Sequence, residues 1–152
     1  MDINLKLVEK GIVLPDAPPP AANYIPYVKV DKLVFISGQV SQNENGFIKG
    51  FLGEDLSVEK GYDAARYCAI SLLAQLKNAV NGDLNRMAKV VKLGGFVNSA
   101  PGFTEQPSVI NGASDLFVEL FGEKGRHART AVGANLPLGV AVEIDGIFEV
   151  ES

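Results

Sequence analysis

Arg129 and Glu143 are the residues of this sequence whose types and spacing most favour chemistry. A guanidinium can bind a carboxylate through two parallel hydrogen bonds. A carboxylate can orient a water molecule and accept its proton. The pair could therefore hold a small carboxylate and place a water beside it. The alternative is that both are solvated charges on strand surfaces.

The segment that contains both residues predicts a β-hairpin. Residues 140–150 alternate between apolar and polar side chains, which is typical of a half-buried strand. A shorter apolar run over residues 130–134 comes first, and Pro137 and Gly139 mark a turn between the two. The arginine lies near the start of the first predicted strand and the glutamate near the start of the second. The two side chains could then face each other across a pocket.

The composition predicts one compact domain over residues 1–152, since 47% of the residues are hydrophobic. A net charge of −4 without a run of Lys or Arg offers nothing to a nucleic-acid backbone. No apolar stretch approaches the roughly 20 residues that a membrane helix needs. One cysteine excludes an intrachain disulfide, and the N-terminus has no signal-peptide pattern. A cytoplasmic location is therefore expected.

The elements that must position the two charged residues predict an α+β fold. Their order is β-β-(β)-α-β-α-β-β, which places two helices on one face of a mixed sheet. The predicted elements are a short helix over residues 3–10, a proline-rich strap over 14–20, strands over 27–30, 33–37 and 47–48, a helix over 58–80, a strand over 90–97, a helix over 107–121 and the C-terminal hairpin. The helix-free face is too apolar for exposure and should be covered by a partner. Its predicted apolar residues are Ala141, Ile147 and some of the four residues Val28, Val30, Val34 and Ile36.

Metal chemistry is not expected from this sequence, because it has one histidine and one cysteine. Cys68 lies at helical spacing from Leu72 and is expected in the core. His127 is expected to be a loop histidine that lacks a catalytic partner. The pair Gly94-Gly95 falls inside a predicted strand and indicates a bulge rather than a phosphate loop.

Three motifs in order make the sequence resemble the Rid family. These are the YjgF-type reactive intermediate deaminases, also labelled L-PSP endoribonucleases. The resemblance covers residues 21–150. The motifs are Pro26-Tyr27-Val28, then Ser37-Gly38-Gln39, and last Arg129 with Leu136-Pro137 and Val142-Glu143-Ile144-Asp145.

The resemblance implies a chorismate-mutase-like sandwich that assembles as a homotrimer with sites in the clefts between subunits. It implies hydrolysis of reactive enamine or imine intermediates to 2-oxo acids and ammonia, without a metal or other cofactor. The implied ligand is a small carboxylate, with no nucleic acid and no membrane as partners.

The resemblance also implies roles for particular residues. Arg129 would bind the substrate carboxylate, and Glu143 would hold the attacking water. Tyr27 would close the pocket from the same or a neighbouring subunit, and Asn111 would help to form it. Ala131 would contribute its backbone N–H and C=O groups. Alternatively, Asn111 is a helix-surface amide and Tyr27 an ordinary residue of an amphipathic strand.

The sequence departs from well-studied deaminases of this family at two places. Ala131 stands where they have a cysteine, and the spacing from Arg129 to Leu136 is one residue shorter. A one-residue change turns strand side chains to the other face unless Gly133 or Asn135 absorbs it. Residues 1–20 are also an N-terminal extension relative to the smallest members.

The departures leave two further functions open. One is a non-catalytic trimer that binds a small carboxylate or a protein partner. The other is an endoribonuclease, which is disfavoured because one histidine and an acidic composition supply neither an acid–base pair nor clustered cations for phosphate.

Overall fold

The computed structural model describes residues 2–151 and confirms an α+β sandwich with a mixed sheet. Two long helices cover one face of a five-stranded sheet, and a short helix lies beside them. The helices are α1 (Ile3–Glu9), α2 (Val58–Ala79) and α3 (Gln106–Phe121). The strands are β1 (Tyr27–Val30), β2 (Leu33–Val40), β3 (Gln42–Asn43), β4 (Gly46–Phe47), β5 (Met87–Val97), β6 (Ala128–Gly133) and β7 (Val142–Val150).

The large sheet has the order β1-β2-β7-β5-β6, and β3 pairs with β4 in a small separate sheet. Neighbouring strands of the large sheet are antiparallel except β5 and β6, which are parallel. Parallel neighbours need a crossover, and α3 provides it. The edge strands are therefore β1 and β6.

The predicted C-terminal hairpin is wrong. The central strand β5 lies between β6 and β7 and pairs with both of them. In these pairings Leu93 is opposite Arg129, and Phe96 is opposite Glu143. The period of two in the sequence identifies each segment as a strand but carries no information about its partner.

The two long helices follow from local sequence. Helix α2 begins after Ser57, whose Oγ accepts a hydrogen bond of 3.2 Å from the Lys60 N–H. Helix α3 has proline in its first turn, as predicted. Their apolar faces pack on the sheet, and Cys68 is fully buried there, which confirms its expected place in the core.

The N-terminal helix α1 is attached to the sandwich by the buried side chains of Ile3 and Leu7 and by polar contacts. Asp2 caps it, with the carboxylate accepting from the Asn4 N–H at 2.9 Å. The Lys6 ammonium donates to the Leu120 carbonyl at the end of α3 at 2.8 Å. Lys10 pairs with Glu119 at 3.4 Å. The extension thus packs against α3, the helix that carries Asn111.

The predicted bulge at Gly94-Gly95 is also wrong. Pairing of β5 with β7 is continuous there, and its two register shifts lie earlier, between Met87 and Lys92. The glycines allow close packing instead: a Cβ on Gly95 would lie 2.7 Å from Ile110 of α3, and one on Gly94 would collide with the Asp145 carboxylate.

The helix-free face of the large sheet keeps several apolar side chains exposed. Val28 is 47% exposed, Val30 57% and Phe35 39%. Of the four residues of β1 and β2 from which some were predicted on this face, Val28 and Val30 lie on it, and Val34 and Ile36 are buried in the core. The prediction was wrong for Ala141, which is buried in the core. Between residues 2 and 151, no helix is both long and apolar enough to cross a membrane.

Candidate functional site

The Arg129 guanidinium is held against the start of α3. Residue 129 shares the helix-covered face with the buried Leu93, so its side chain reaches towards that helix. Nη1 donates to Asn111 Oδ1 at 2.8 Å and to Ser114 Oγ at 3.0 Å, and Nη2 donates to the Pro107 carbonyl at 3.1 Å. The arginine is thus fixed in one orientation, not extended into solvent.

Two donors of this guanidinium have no partner among residues 2–151. A guanidinium has five N–H groups, and the three hydrogen bonds use one from Nη2 and both from Nη1. The Nε–H and one N–H of Nη2 therefore have no protein acceptor in the described part of the chain. A planar carboxylate accepts such a pair of donors through its two oxygens.

Asn111 lies beside Arg129, as the family resemblance implied, and Ser114 joins them without having been predicted. The two residues are three positions apart on α3, so they lie on the same helix face. That spacing from Asn111 was the available sequence indication for Ser114. We call Arg129, Asn111 and Ser114 the arginine half-site.

His127 lies just before β6, as expected for a loop histidine, but it has two partners. Its Nδ1 is 2.6 Å from the Gly125 carbonyl oxygen, and its Nε2 is 2.8 Å from Ser114 Oγ. A carbonyl oxygen can only accept, so Nδ1 carries the proton. In the neutral ring Nε2 then accepts from the Ser114 hydroxyl.

Burial lowers the pKa of His127 below its ordinary value of 6.5, and the charges of Arg129 and Lys89 lower it further. The hydrogen bond to the Gly125 carbonyl opposes this shift. The imidazole is therefore neutral at pH 7, in agreement with an Nε2 that accepts from Ser114.

The lowered pKa of His127 predicts a loss of folding stability in mild acid. The unfolded chain takes up the histidine proton near 6.5, whereas the folded chain resists it. The neutral imidazole therefore contributes fully to the free energy of unfolding above pH 6.5. This contribution declines as the pH falls through 6.5 towards the pKa of His127 in the folded chain. Urea unfolding at about pH 7.5 and about pH 5.5 should show a smaller acid-induced loss for His127→Gln than for the parent. Equal losses would contradict the prediction.

Glu143 points to the other face of the sheet. Its neighbours in β7, Val142 and Ile144, are fully buried under the helices, so the glutamate between them faces the helix-free side. There its carboxylate lies against the backbone of Gly38 on β2. We call Glu143 and Gly38 the glutamate half-site.

The pKa of Glu143 is raised by burial and by the nearby carboxylate of Asp145. The pKa of Asp145 is raised by burial too, although a hydrogen bond from the Gly94 backbone and the charge of Lys92 oppose the change. A carboxylate with a raised pKa is a stronger base than one in open water. Glu143 is thus suited to accept and return a proton.

Replacing Gly38 with alanine should displace the Glu143 carboxylate without unfolding the protein. An added Cβ would collide with the end of that flexible side chain, which can move aside. We expect turnover of an imine substrate to fall by about 10²-fold, the lower end of the range for a misplaced general base. Thermal unfolding should change little. Parent-like turnover in the variant would show that the position of Glu143 does not matter.

Tyr27 lies at the edge of the sheet opposite Arg129. It pairs with Ile36 and packs partly buried against the core. Four strand spacings separate β1 from β6, which is roughly 19 Å. Tyr27, Glu143 and Arg129 therefore do not share a pocket within one chain, and the predicted encounter of Arg129 with Glu143 across a hairpin does not occur.

Ala131 lies two residues after Arg129 on the same face of β6 and packs against the core. Pairing of β5 with β6 is regular through Gly133, so no bulge in β6 absorbs the shorter spacing to Leu136. The following segment ends in a 3-10 turn over Pro137–Gly139. Arg129 is oriented towards α3.

Within residues 2–151, no three or more His, Cys, Asp or Glu side chains cluster in a way that could hold a metal ion.

The fold and the two half-sites define a small α+β protein with a guanidinium open to an anion at one sheet edge and a desolvated carboxylate on the helix-free face. Residues 4–142 match the family described as "YjgF/chorismate mutase-like, putative endoribonuclease". The chain belongs to this family.

Three relatives extend the comparison. Protein TCP17 of Trypanosoma cruzi is 50% identical over 145 residues, which cover 93% of this chain and 90% of that protein. A structure of a protein of unknown function from Agrobacterium tumefaciens has a TM-score of 0.91 and 45% identity, covering 98% of this chain and 92% of that one. A structure from Shewanella oneidensis, titled a putative endoribonuclease, has a TM-score of 0.94 and 34% identity, covering 99% and 100%.

Proposed function

We propose that this protein is a homotrimer that hydrolyses reactive imines and enamines of small carboxylic acids to 2-oxo acids and ammonia. Each site combines the arginine half-site of one subunit with the glutamate half-site of its neighbour. The observation that carries the proposal is the Arg129 guanidinium, which three protein acceptors fix while two N–H groups stay free.

The arrangement of the half-sites supports their combination across a subunit boundary. They lie on opposite faces of one sheet, so a ligand bound at Arg129 is out of reach of Glu143 in the same chain. The helix-free face also contains a pocket with a volume of about 590 Å³, whose lining includes Val28, Phe35, Phe96 and Ile147. Exposed apolar surface of this kind favours burial against another copy.

The chemistry uses the two half-sites for different tasks. Arg129 binds the substrate carboxylate and so fixes the distance of the C=N carbon from the glutamate, which can lower the barrier by several kcal/mol. Water adds its oxygen to that carbon while Glu143 takes one of its protons. The proton then passes to the nitrogen. The adduct then carries a hydroxyl and an amino group on the same carbon. Glu143 takes the hydroxyl proton and gives it to the nitrogen as the C–N bond breaks, which releases ammonia and leaves the C=O group of the 2-oxo acid. An enamine first tautomerises to the imine.

Carboxylate binding without catalysis is the second candidate. The observation that favours it is the completeness of the arginine half-site within one chain, since Asn111 and Ser114 hold Arg129 without any contribution from Glu143. Such a protein would bind 2-oxo acids but would not accelerate imine hydrolysis.

The relatives that carry the name endoribonuclease give a third outcome for the test. An RNA-cleaving site needs an acid, a base and cations for phosphate. Here the lone histidine is neutral and is hydrogen-bonded to Ser114, and the chain has a net charge of −4. We therefore expect no cleavage of RNA.

The test has three measurements on the purified protein. Light scattering should give three subunit masses of 16.2 kDa each. A panel of imines generated from amino acids should be hydrolysed faster than in buffer, while a single-stranded RNA stays intact. A subunit mass at micromolar concentration would exclude the intersubunit site. Pyruvate binding without hydrolysis would favour the second candidate, and RNA cleavage would overturn both.

Mixed trimers test whether the half-sites come from different subunits. Arg129→Ala and Glu143→Gln should each have strongly reduced activity alone. After the two variants are unfolded together and refolded, about a quarter of the clefts in random trimers would contain both intact residues. Activity should therefore reappear in the mixture. No recovery would contradict a site built from two subunits.

A further inference from the structure

We propose that Ser114 and His127 are positioning residues that aim the Arg129 guanidinium at its ligand. This inference rests on the proposed function, because it concerns the same arginine. Neither residue is expected to touch the substrate. They act through a chain of hydrogen bonds that runs from the Gly125 carbonyl through the imidazole and the hydroxyl to Nη1 of the arginine.

The chain starts at a fixed point of the backbone. Gly125 is buried so tightly against α3 that a Cβ there would collide with the Phe117 carbonyl oxygen. The His127 ring also meets the Phe117 ring edge-on, with centroids 6.4 Å apart and an interplanar angle of 79°. The Nδ1–H bond to the Gly125 carbonyl then sets the remaining rotation of the imidazole.

The fixed imidazole in turn sets the direction of the Ser114 hydroxyl. A serine hydroxyl can rotate, and its hydrogen could point at several acceptors. Here Nε2 takes that hydrogen at 2.8 Å, so a lone pair of Oγ is free for Arg129 Nη1 at 3.0 Å. Of the three groups that accept from Arg129, Ser114 is the side chain whose orientation depends on another side chain.

Positioning matters at this arginine because it lies on an edge strand and has a long side chain. An arginine side chain loses conformational entropy when its guanidinium is fixed. A guanidinium that is already oriented in the free protein loses less of this entropy when the ligand binds. Removal of Ser114 or of the His127 nitrogen leaves the positive charge in place but lets the fork turn. Binding should weaken while the charge at the site is unchanged.

The experiment compares pyruvate affinity, measured by calorimetry, in Ser114→Ala and His127→Phe. Each substitution should weaken pyruvate binding about tenfold. This effect is smaller than that of losing a direct hydrogen bond between the ligand and a charged group. His127→Phe keeps the ring against Phe117 and removes both nitrogens. The matched control is Ser108→Ala, which alters an exposed serine of the same helix and should bind like the parent.

A double-mutant cycle separates positioning from general damage. In an Arg129→Ala background, Ser114→Ala should have no further effect on pyruvate affinity. Parent-like affinity in Ser114→Ala, or an effect of the same size in both backgrounds, would overturn the positioning role. Parent-like affinity in Arg129→Ala alone would instead refute the proposed function. The two failures are therefore distinguishable.

Discussion

Replacing Arg129 with alanine should weaken pyruvate binding by about 2–5 kcal/mol, as when a desolvated charged contact is truncated. The variant loses both the charge and the two free N–H donors. Arg129→Lys should fall between the parent and the alanine variant, because an ammonium keeps the charge but has no planar fork. Calorimetric titration with pyruvate measures all three proteins.

Arg126→Ala is the matched control for that prediction. Arg126 lies three residues earlier, is exposed and pairs with Glu123 at 3.2 Å. Its removal changes the net charge by the same amount and should leave pyruvate affinity unchanged. If Arg129→Ala bound pyruvate as the parent does, the residue would have no part in ligand recognition and the family role would not apply to this chain.

Replacing Glu143 with glutamine should lower turnover by about 10²–10⁴-fold and leave pyruvate affinity almost unchanged. An amide can still hold a water but cannot take its proton. Because burial and Asp145 raise the pKa of Glu143, turnover of the parent should decline as the pH falls and the carboxylate becomes protonated. The residual activity of the variant should lack this step. Initial rates across the acidic range test both statements.

Glu149→Gln is the control for Glu143, since Glu149 is exposed on the same face of the same strand. It should keep parent-like rates. If Glu143→Gln also kept them, the base would lie elsewhere, or the protein would bind its ligand without catalysis.

The local elements of this fold were predictable from sequence because their determinants lie close together in the chain. Asp2 and Ser57 cap α1 and α2 through hydrogen bonds to residues two and three positions on. The two residues between β1 and β2 leave room only for a tight antiparallel turn. Family motifs added the site residues Arg129 and Asn111, which the structure brings within 2.8 Å of each other.

The hairpin prediction failed for a physical reason. The alternation in residues 140–150 indicates that one side of this strand is buried. It does not indicate which of the other strands pairs with it. In the structure β5 lies between β6 and β7. Helix α3 carries the chain back across the sheet, so that β6 runs parallel to β5, and β7 pairs with the other edge of β5. Arg129 and Glu143 then fall on opposite faces, and one chain by itself cannot bring them together.

The sequence by itself determined the fold class, the three helices, the five strands of the large sheet apart from their ends, and the two charged residues with the strongest claim to chemistry. These follow from side-chain periodicity, capping and residue type. Only the tertiary structure decided that Ser114, His127 and the Gly125 carbonyl form a chain that ends on Arg129. This chain of hydrogen bonds depends on how α3 and β6 pack together. Hydrogen bonds between packed elements leave no periodic pattern of residues in the sequence.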